Sequence, residues 1–252
     1  MNNVLLTGAA GGIGGGILEH LGVRGFKIIA TDHPAAIKSK IRMANEGSVH
    51  WVPLDFQGLN SCAHALQSFE KNVRSCLNGS PLEAIIHNAA IQRLGAFEDL
   101  TIGDWQYTLE VNLLAPVTIS RMFMSDLIKT QGSVIHISSI HSHLTKPGFT
   151  AYATSKAAIS GLTRAMAVEL GDRVRINAIE PAAIRTPMLE AGFANYPAQI
   201  SLLEEHHPTR RIGTYEDVAR AVVFLLDPAN SFLNGCVLEL GGGIHARLHD
   251  PL

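Results

Sequence analysis

Charge is sparse in this chain of 252 residues: Asp, Glu, Lys and Arg make up 17% of it and nearly cancel, leaving a formal net charge of -2 at pH 7. The basic residues are scattered rather than clustered, so there is no positive footprint for a polyphosphate backbone, and nucleic acid is not an expected partner. Cysteine is scarcer still. Cys62, Cys76 and Cys236 are odd in number and lack C-x-x-C spacing, which argues against a disulfide framework and a thiolate metal site and fits a reducing cytoplasm. Long apolar runs are missing too. The apolar stretch from Val4 to Leu18 is broken by six glycines, and nothing else approaches the about 20 residues that a membrane span needs. A secretory leader is not expected, because Met1, Asn2 and Asn3 carry no positive charge and Glu19 follows the run. The expectation is a soluble, cytoplasmic protein. With 46% hydrophobic residues, no internal repeat and no Pro/Gly/Ser-rich linker, residues 1–252 are expected to form one domain around one large core.

What is present is a recurrence of short β-branched runs: NVLL near 3, KIIAT near 27, VHWVPL near 49, EAIIH near 83, SVIHIS near 133, VRINAI near 174 and CVLEL near 236. Between them apolar residues return at helical spacing, as in Ile159, Leu162, Met166 and Leu170, or Val218, Val222 and Leu225. Strands that are continuously apolar, alternating with helices, predict an α/β fold: a doubly wound parallel sheet of seven strands with helices on both faces. Residues 187–210 are too long for an ordinary connection and are expected to be a functional segment.

The glycines after NVLLT lie at a strand-to-helix turn. Gly8, Gly12 and Gly14 are the spaced set, with Ile13 packing inward between the last two. A turn without side chains lets a helix N-terminus present bare N–H groups to a pyrophosphate; a tight turn that binds nothing is the alternative. Asp32 ends the second strand 18 residues after Gly14, close to the spacing of about 20 for a carboxylate that accepts hydrogen bonds from an adenosine ribose. Its alternative is a cap for a helix starting at Pro34. A carboxylate there repels a ribose 2'-phosphate, and residues 9–15 contain no Arg or Lys. NAD is therefore expected over NADP, although His33 adjoins the site.

YATSK places Tyr152 and Lys156 at i and i+4, on one helix face. Alone, the pair equally describes a solvated face. Upstream, however, Ser138 and Ser139 end a predicted strand, and the carboxyl ends of strands are where α/β sheets put ligands.

Taken together these segments resemble the short-chain dehydrogenase/reductase family in its single-domain Rossmann form, over nearly the whole chain. TGAAGGIG is similar to the family's T-G-x-x-x-G-x-G loop, HNAA to N-N-A-G, SS followed by YATSK to its serine and Y-x-x-x-K, and EPAAIRTPM to P-G-x-x-x-T-P. The resemblance implies an NAD(P)-dependent oxidoreductase in which Tyr152 is the acid/base and Lys156 lowers the phenol's pKa and grips the nicotinamide ribose. It further implies Ser139 as the catalytic serine, Ser138 as its structural neighbour and Asn112 as the holder of a proton-relay water. Asp55 is implied beside the adenine, Asn88 near the ribose, and Pro181, Ile184 and Thr186 on the nicotinamide side. Two glycines of the pattern are alanines here, Ala90 and Ala182, which matters only where the backbone needs positive φ. His87 stands where asparagine is usual and is read as a packed strand-end residue.

His141, His143, His206 and His207 are read as polar loop residues near a pocket, and no metal is expected, because carboxylate or cysteine partners do not stand at ligand spacing from them. Glu83, Glu98 and Asp99 are read as solvated charges. Gln92, Arg93 and His141 are expected to face the cavity and to favour a small polyhydroxy or acidic substrate. Residues 187–210 are expected to be a substrate lid, with Met188, Leu189, Phe193, Tyr196, Ile200, Leu202 and Leu203 on its apolar side and Glu190, Glu204, Glu205, His206 and His207 on its wet side; a permanently packed helical pair without motion is the alternative. The expected assembly is a homotetramer, with a homodimer second. Competing functions are a dinucleotide-binding regulator that has lost catalysis, an NADP-dependent ketoreductase, and an epimerase or dehydratase. The first would be expected to lose Tyr152 or Lys156; the last generally needs a larger C-terminal substrate domain.

Overall fold

The seven apolar runs become β1 (Asn3–Thr7), β2 (Lys27–Thr31), β3 (Val49–Trp51), β4 (Ala84–His87), β5 (Ser133–Ile137), β6 (Arg175–Pro181) and β7 (Val237–Leu240) in a computed structural model that describes residues 3–38, 47–193 and 198–248. They pair in parallel in the order β3-β2-β1-β4-β5-β6-β7. The helices are α1 (Gly12–Val23), α2 (Pro34–Ile37), α3 (Ala63–Leu77), α4 (Ile102–Leu109), α5 (Ala115–Met122), α6 (Met124–Thr130), α7 (Thr150–Leu170), α8 (Pro187–Gly192), α9 (Ala198–His206) and α10 (Tyr215–Leu226). A π turn over Glu110–Leu114 joins α4 to α5.

Register explains why the strands read as unbroken apolar runs. Val4 pairs with Ile28 on one side and Ala84 on the other, and successive side chains leave opposite faces of a strand. Leu5, Ile29, Ile85, Val134 and Ile176 therefore enter one core, shared with Phe69, Val73, Ile119 and Phe123 of α3, α5 and the α5–α6 junction. Val4, Leu6, Ile28, Ile86 and Ile135 enter the other, beneath Ile17 of α1 and Val222 and Leu225 of α10. Each such fully buried aliphatic side chain contributes about 1.5–3 kcal/mol relative to exposure.

Strand order reverses between β1 and β4, and at such a switch point the connections leave a crevice beyond the carboxyl ends of the strands. Neither alanine substituted for a family glycine strains this edge: among the described non-glycine residues, only Asn78, Gln131 and Arg210 have positive φ. Ala90 and Ala182 therefore occupy backbone that any residue adopts. No single helix among the described residues is long and apolar enough to cross a membrane.

Candidate active site

The crevice is lined at one end by Gly8, Gly12, Ile13 and Gly14. Gly8 has φ +65°, and a Cβ on it would lie 2.7 Å from the Ala89 backbone, so only glycine fits both the conformation and the space. A Cβ on Gly14 would collide with the Gly8 carbonyl oxygen. Asn88 fixes this loop from β4: its Nδ2 donates to the carbonyls of Thr7 (3.2 Å) and Gly8 (2.9 Å). Thr7 Oγ1 in turn accepts from the backbone N–H groups of Asn88 and Ala89, both at 3.0 Å. The start of α1 has no side-chain cap and no acid in its first turn, leaving its dipole free to meet a phosphate.

Asp32 Oδ2 accepts from Ala10 N at 2.9 Å and Oδ1 from His33 N at 2.7 Å, so the carboxylate closes onto the glycine loop. The cap of α2 falls instead to His33, whose Nδ1 accepts from Ala35 N. Asp55 lies on the same rim, 3.6 Å from His33 Nε2. Pro181, Ile184 and Thr186 line the far wall. Glycine cradle, open helix end and rim carboxylates together fit a dinucleotide.

Ser139, Tyr152 and Lys156 lie where β5 and α7 converge on the cleft. Burial pushes the Tyr152 phenol above its usual value, partly offset by hydrogen bonds with Gln92 and Ser139. Lys156 Nζ donates to the Ile137 carbonyl at 2.8 Å and sits 5.6 Å from the centre of the Tyr152 ring. Its own burial lowers it to about 8. The phenol stands above its usual value rather than below it, because loss of water costs the phenolate more than the surrounding groups return. Ser138 is structural, as expected: its Oγ donates to the Lys156 carbonyl and meets Ser160 Oγ at 2.8 Å.

Several residues depart from their expected places. Asn112 is not among the cleft-lining residues. Its amide donates to Ile91 O (3.0 Å) and Ser155 Oγ (2.9 Å), and its carbonyl oxygen accepts from Ile91 N. The side chain is a strut between the π turn, the strand-end loop and α7. Arg93 also leaves the cavity, lying over the Tyr107 ring at 5.1 Å and 3.9 Å from Asp104. Gln92 and His141 do line it; His141 stacks on Phe149 at 4.3 Å and burial lowers it to about 4, so it is neutral at pH 7. In 187–210, Leu189, Phe193 and Leu203 face the cleft, whereas Leu202 is exposed and His207, read as wet, is buried. Tyr196 and the Met188 side chain lie outside what is described. His87 is packed as expected, with Nε2 2.8 Å from Ser120 Oγ and its ring on His136.

Residues 8–245 match the family model described as Enoyl-(Acyl carrier protein) reductase. The chain is 30% identical over 247 residues to 5-keto-D-gluconate 5-reductase of Escherichia coli (strain K12), covering 96% of this chain and 94% of that protein. It is 28% identical over 242 residues to carbonyl reductase [NADPH] 2 of Sus scrofa, covering 95% and 94%. The ligand-free structure of Thermoplasma acidophilum aldohexose dehydrogenase is similar with a TM-score of 0.87 at 27% identity, covering 100% of this chain and 96% of that one. The chain belongs to the short-chain dehydrogenase/reductase family. It is an NAD(P)-dependent oxidoreductase acting on CH-OH groups.

Proposed function

We propose that the enzyme interconverts a secondary alcohol and a ketone with NAD, using Tyr152 as acid/base, on a small polar or polyhydroxy substrate. The observation that carries this reading is the buried Tyr152 phenol in the cleft, hydrogen-bonded with Ser139 and Gln92 and overlain by Lys156. A nicotinamide held there would supply hydride transfer to or from the carbinol carbon. Tyr152 gives its proton to the carbonyl oxygen in reduction and takes the hydroxyl proton in oxidation. Ser139 orients that oxygen, Lys156 holds the nicotinamide ribose and favours the phenolate by its charge, and Asn112 positions the π turn that carries the proton-relay water. Gly8, Gly12, Ile13 and Gly14 cradle the pyrophosphate, Asp32 and Asn88 hold the adenosine ribose, and Asp55 flanks the adenine. Pro181, Ile184 and Thr186 support the nicotinamide.

The polar substrate class is supported by Gln92 and neutral His141 in the cleft and by relatives named for a keto-sugar acid and an aldohexose. Residues 187–210 act as its lid. An NADP-dependent ketoreductase is the second reading, favoured by the relative named for NADPH. The decisive assay follows NADH and NADPH formation by the purified protein over a panel of alcohols, sugars and hydroxy acids. Tyr152→Phe should then lower turnover by about 10²–10⁴-fold with NAD affinity nearly unchanged. A variant with near-normal turnover would overturn the assignment.

A further inference from the structure

The cleft crosses the carboxyl ends of the strands from one side of the sheet to the other, and its charges are sorted along the way. Among the described residues that line it, the carboxylates are Asp32 and Asp55, which follow β2 and β3. The cations lie on the other side: Lys146 in the loop after β5 and Arg247 beyond β7, besides Lys156 of the catalytic group. With the strands in the order β2-β1-β4-β5 and about 4.8 Å apart, the ends of β2 and β5 stand about 14 Å from each other. That exceeds the screening length of about 8 Å at physiological ionic strength. Asp32 and Asp55 therefore do not neutralise the cations on the Tyr152 side.

Acids closer to that side are already engaged. Glu180 and Glu239 face His143, and Glu190 and Glu204 face Arg185; none of the four lines the cleft. Among the described residues no carboxylate pairs with Lys146 or with Arg247. Arg247 is anchored by main chain instead, its Nη1 donating to the carbonyls of His206 (2.8 Å) and Glu205 (3.4 Å) at the end of α9. The Lys146 ammonium lies 4.9 Å from the centre of the Phe149 ring.

That ring ties Lys146 to the reacting group. Phe149 stacks flat on His141 with centroids 4.3 Å apart, and the two rings meet the Tyr152 ring edge-on at 6.2 and 5.7 Å. The loop begins at Ser139, whose Oγ accepts from His141 N at 3.2 Å, and His141 Nδ1 meets Thr145 Oγ1 at 2.9 Å. It thus holds a cation at a set remove from the serine and the phenol. The wall between them is aromatic and, with His141 neutral, uncharged.

A cleft wall of one sign concentrates ligands of the other, and a lone ammonium is a point charge that suits a single carboxylate. We propose that the substrate is a hydroxy acid, oxidised to its keto acid, and that Lys146 receives its carboxylate while the carbinol carbon faces Tyr152 and Ser139. In that oxidation the carbinol C–H bond breaks and its hydride passes to the oxidised cofactor. The O–H proton passes to the Tyr152 phenolate, the C=O bond forms, and the carboxylate is unchanged. Arg247 adds to the field from the β7 side. Placement of the reacting carbon rests on the hydride-transfer reading above; the charge of the ligand does not.

The test loads the full-length protein with NADH, and in parallel with NADPH, neither of which can oxidise an alcohol. It is then titrated by calorimetry with α-, β- and γ-hydroxy acids and aldonates, each against its own carboxamide, so that charge alone differs. At least one acid should bind about tenfold more tightly than its amide; Lys146→Gln should remove that preference and Lys146→Arg should keep most of it. With the oxidised cofactor, Lys146→Gln should raise the KM of that acid about tenfold and change kcat less. Lys146 is exposed, so both variants should fold. The proposal is overturned if no acid is preferred to its amide, if the preference survives Lys146→Gln, or if glycerol phosphate binds more tightly than every acid. An acid whose binding depends on Lys146 but which is never oxidised would overturn the hydride reading and leave the carboxylate site standing. Oxidation of neutral alcohols alone would do the reverse.

Discussion

A phenol raised by burial is protonated at neutral pH, which sets Tyr152 as a proton donor. Reduction uses that form directly, whereas oxidation requires its loss. The oxidation rate should therefore rise with pH above neutrality, as the small phenolate fraction grows, while the reduction rate stays level because the acid form remains dominant. Rates measured in both directions from pH 6 to 10 check this; parallel profiles would assign the titration to another group. Asp32 makes the second prediction at this scale. Its carboxylate accepts from both Ala10 N and His33 N, so Asp32→Ala loosens the glycine loop and removes the repulsion toward a 2'-phosphate together. The expected outcome is weaker NAD binding and a narrower NAD:NADP ratio, while Asp32→Asn should retain more of the loop and still lose the charge discrimination. An unchanged ratio of Michaelis constants in both variants would return Asp32 to a purely structural role.

Among the elements, α8 and α9 make up the proposed lid. Arg185 links them: its Nη2 is 2.7 Å from Glu204 Oε1 on α9 and its Nη1 is 3.5 Å from Glu190 Oε1 on α8. Arg185→Ala should release this brace, speeding proteolytic cutting within 187–210 and raising the KM of the substrate more than it lowers kcat, because Arg185 does not touch the reacting groups. In the unaltered protein, NAD with a substrate analogue should suppress the cutting; cleavage equally fast with and without both ligands would deny the segment a gating role. The same elements show what was legible beforehand. All seven strands were readable because buried parallel strands are continuously apolar, and the gathering of the glycine turn, Asp32, Ser139, Tyr152 and Lys156 around one cleft was readable because each stands at the end of a strand or within the first two turns of a helix. Arg185, the burial of His207, the departure of Arg93 and the strut role of Asn112 were not, because each depends on partners 11 or more residues away or on which face of a short helix meets the cleft. The contact of His143 with Glu180 and Glu239 is the extreme case, the three lying 37 and 59 residues apart along the chain.

For the whole molecule, exposed apolar side chains argue for self-association. Ile102 at the start of α4, Leu114 before α5, Val168 on α7 (86% exposed) and Phe232 before β7 all face solvent in the single chain, on the long helices and edge strand through which a homotetramer would pack. Light scattering giving only the mass of one 27.1 kDa chain at micromolar concentration would refute that assembly. The sheet interior makes the last prediction. His87 and His136 are paired positions on β4 and β5, both buried and stacked at 5.3 Å. Burial holds His87 well below the usual histidine range and His136 at about 3. Unfolded, both titrate near 6.5, so below that pH the unfolded chain binds protons that the folded chain refuses. Stability should therefore be retained above about pH 6.5 and fall as pH drops through it toward 4, with a limiting slope of about 1.4 kcal/mol per pH unit for each histidine. Asp217, held low by Arg211, loses its contribution only below the ordinary carboxylate range and does not confuse this window. His141 and His245, also lowered by burial, add to the same fall, whereas His87→Asn leaves Ser120 a hydrogen-bonding partner and removes the share of His87 alone. Thermal midpoints at fixed protein concentration between pH 7 and 4.5 should fall less steeply for that variant than for the unaltered protein, and identical slopes would mean that His87 is protonated inside the fold.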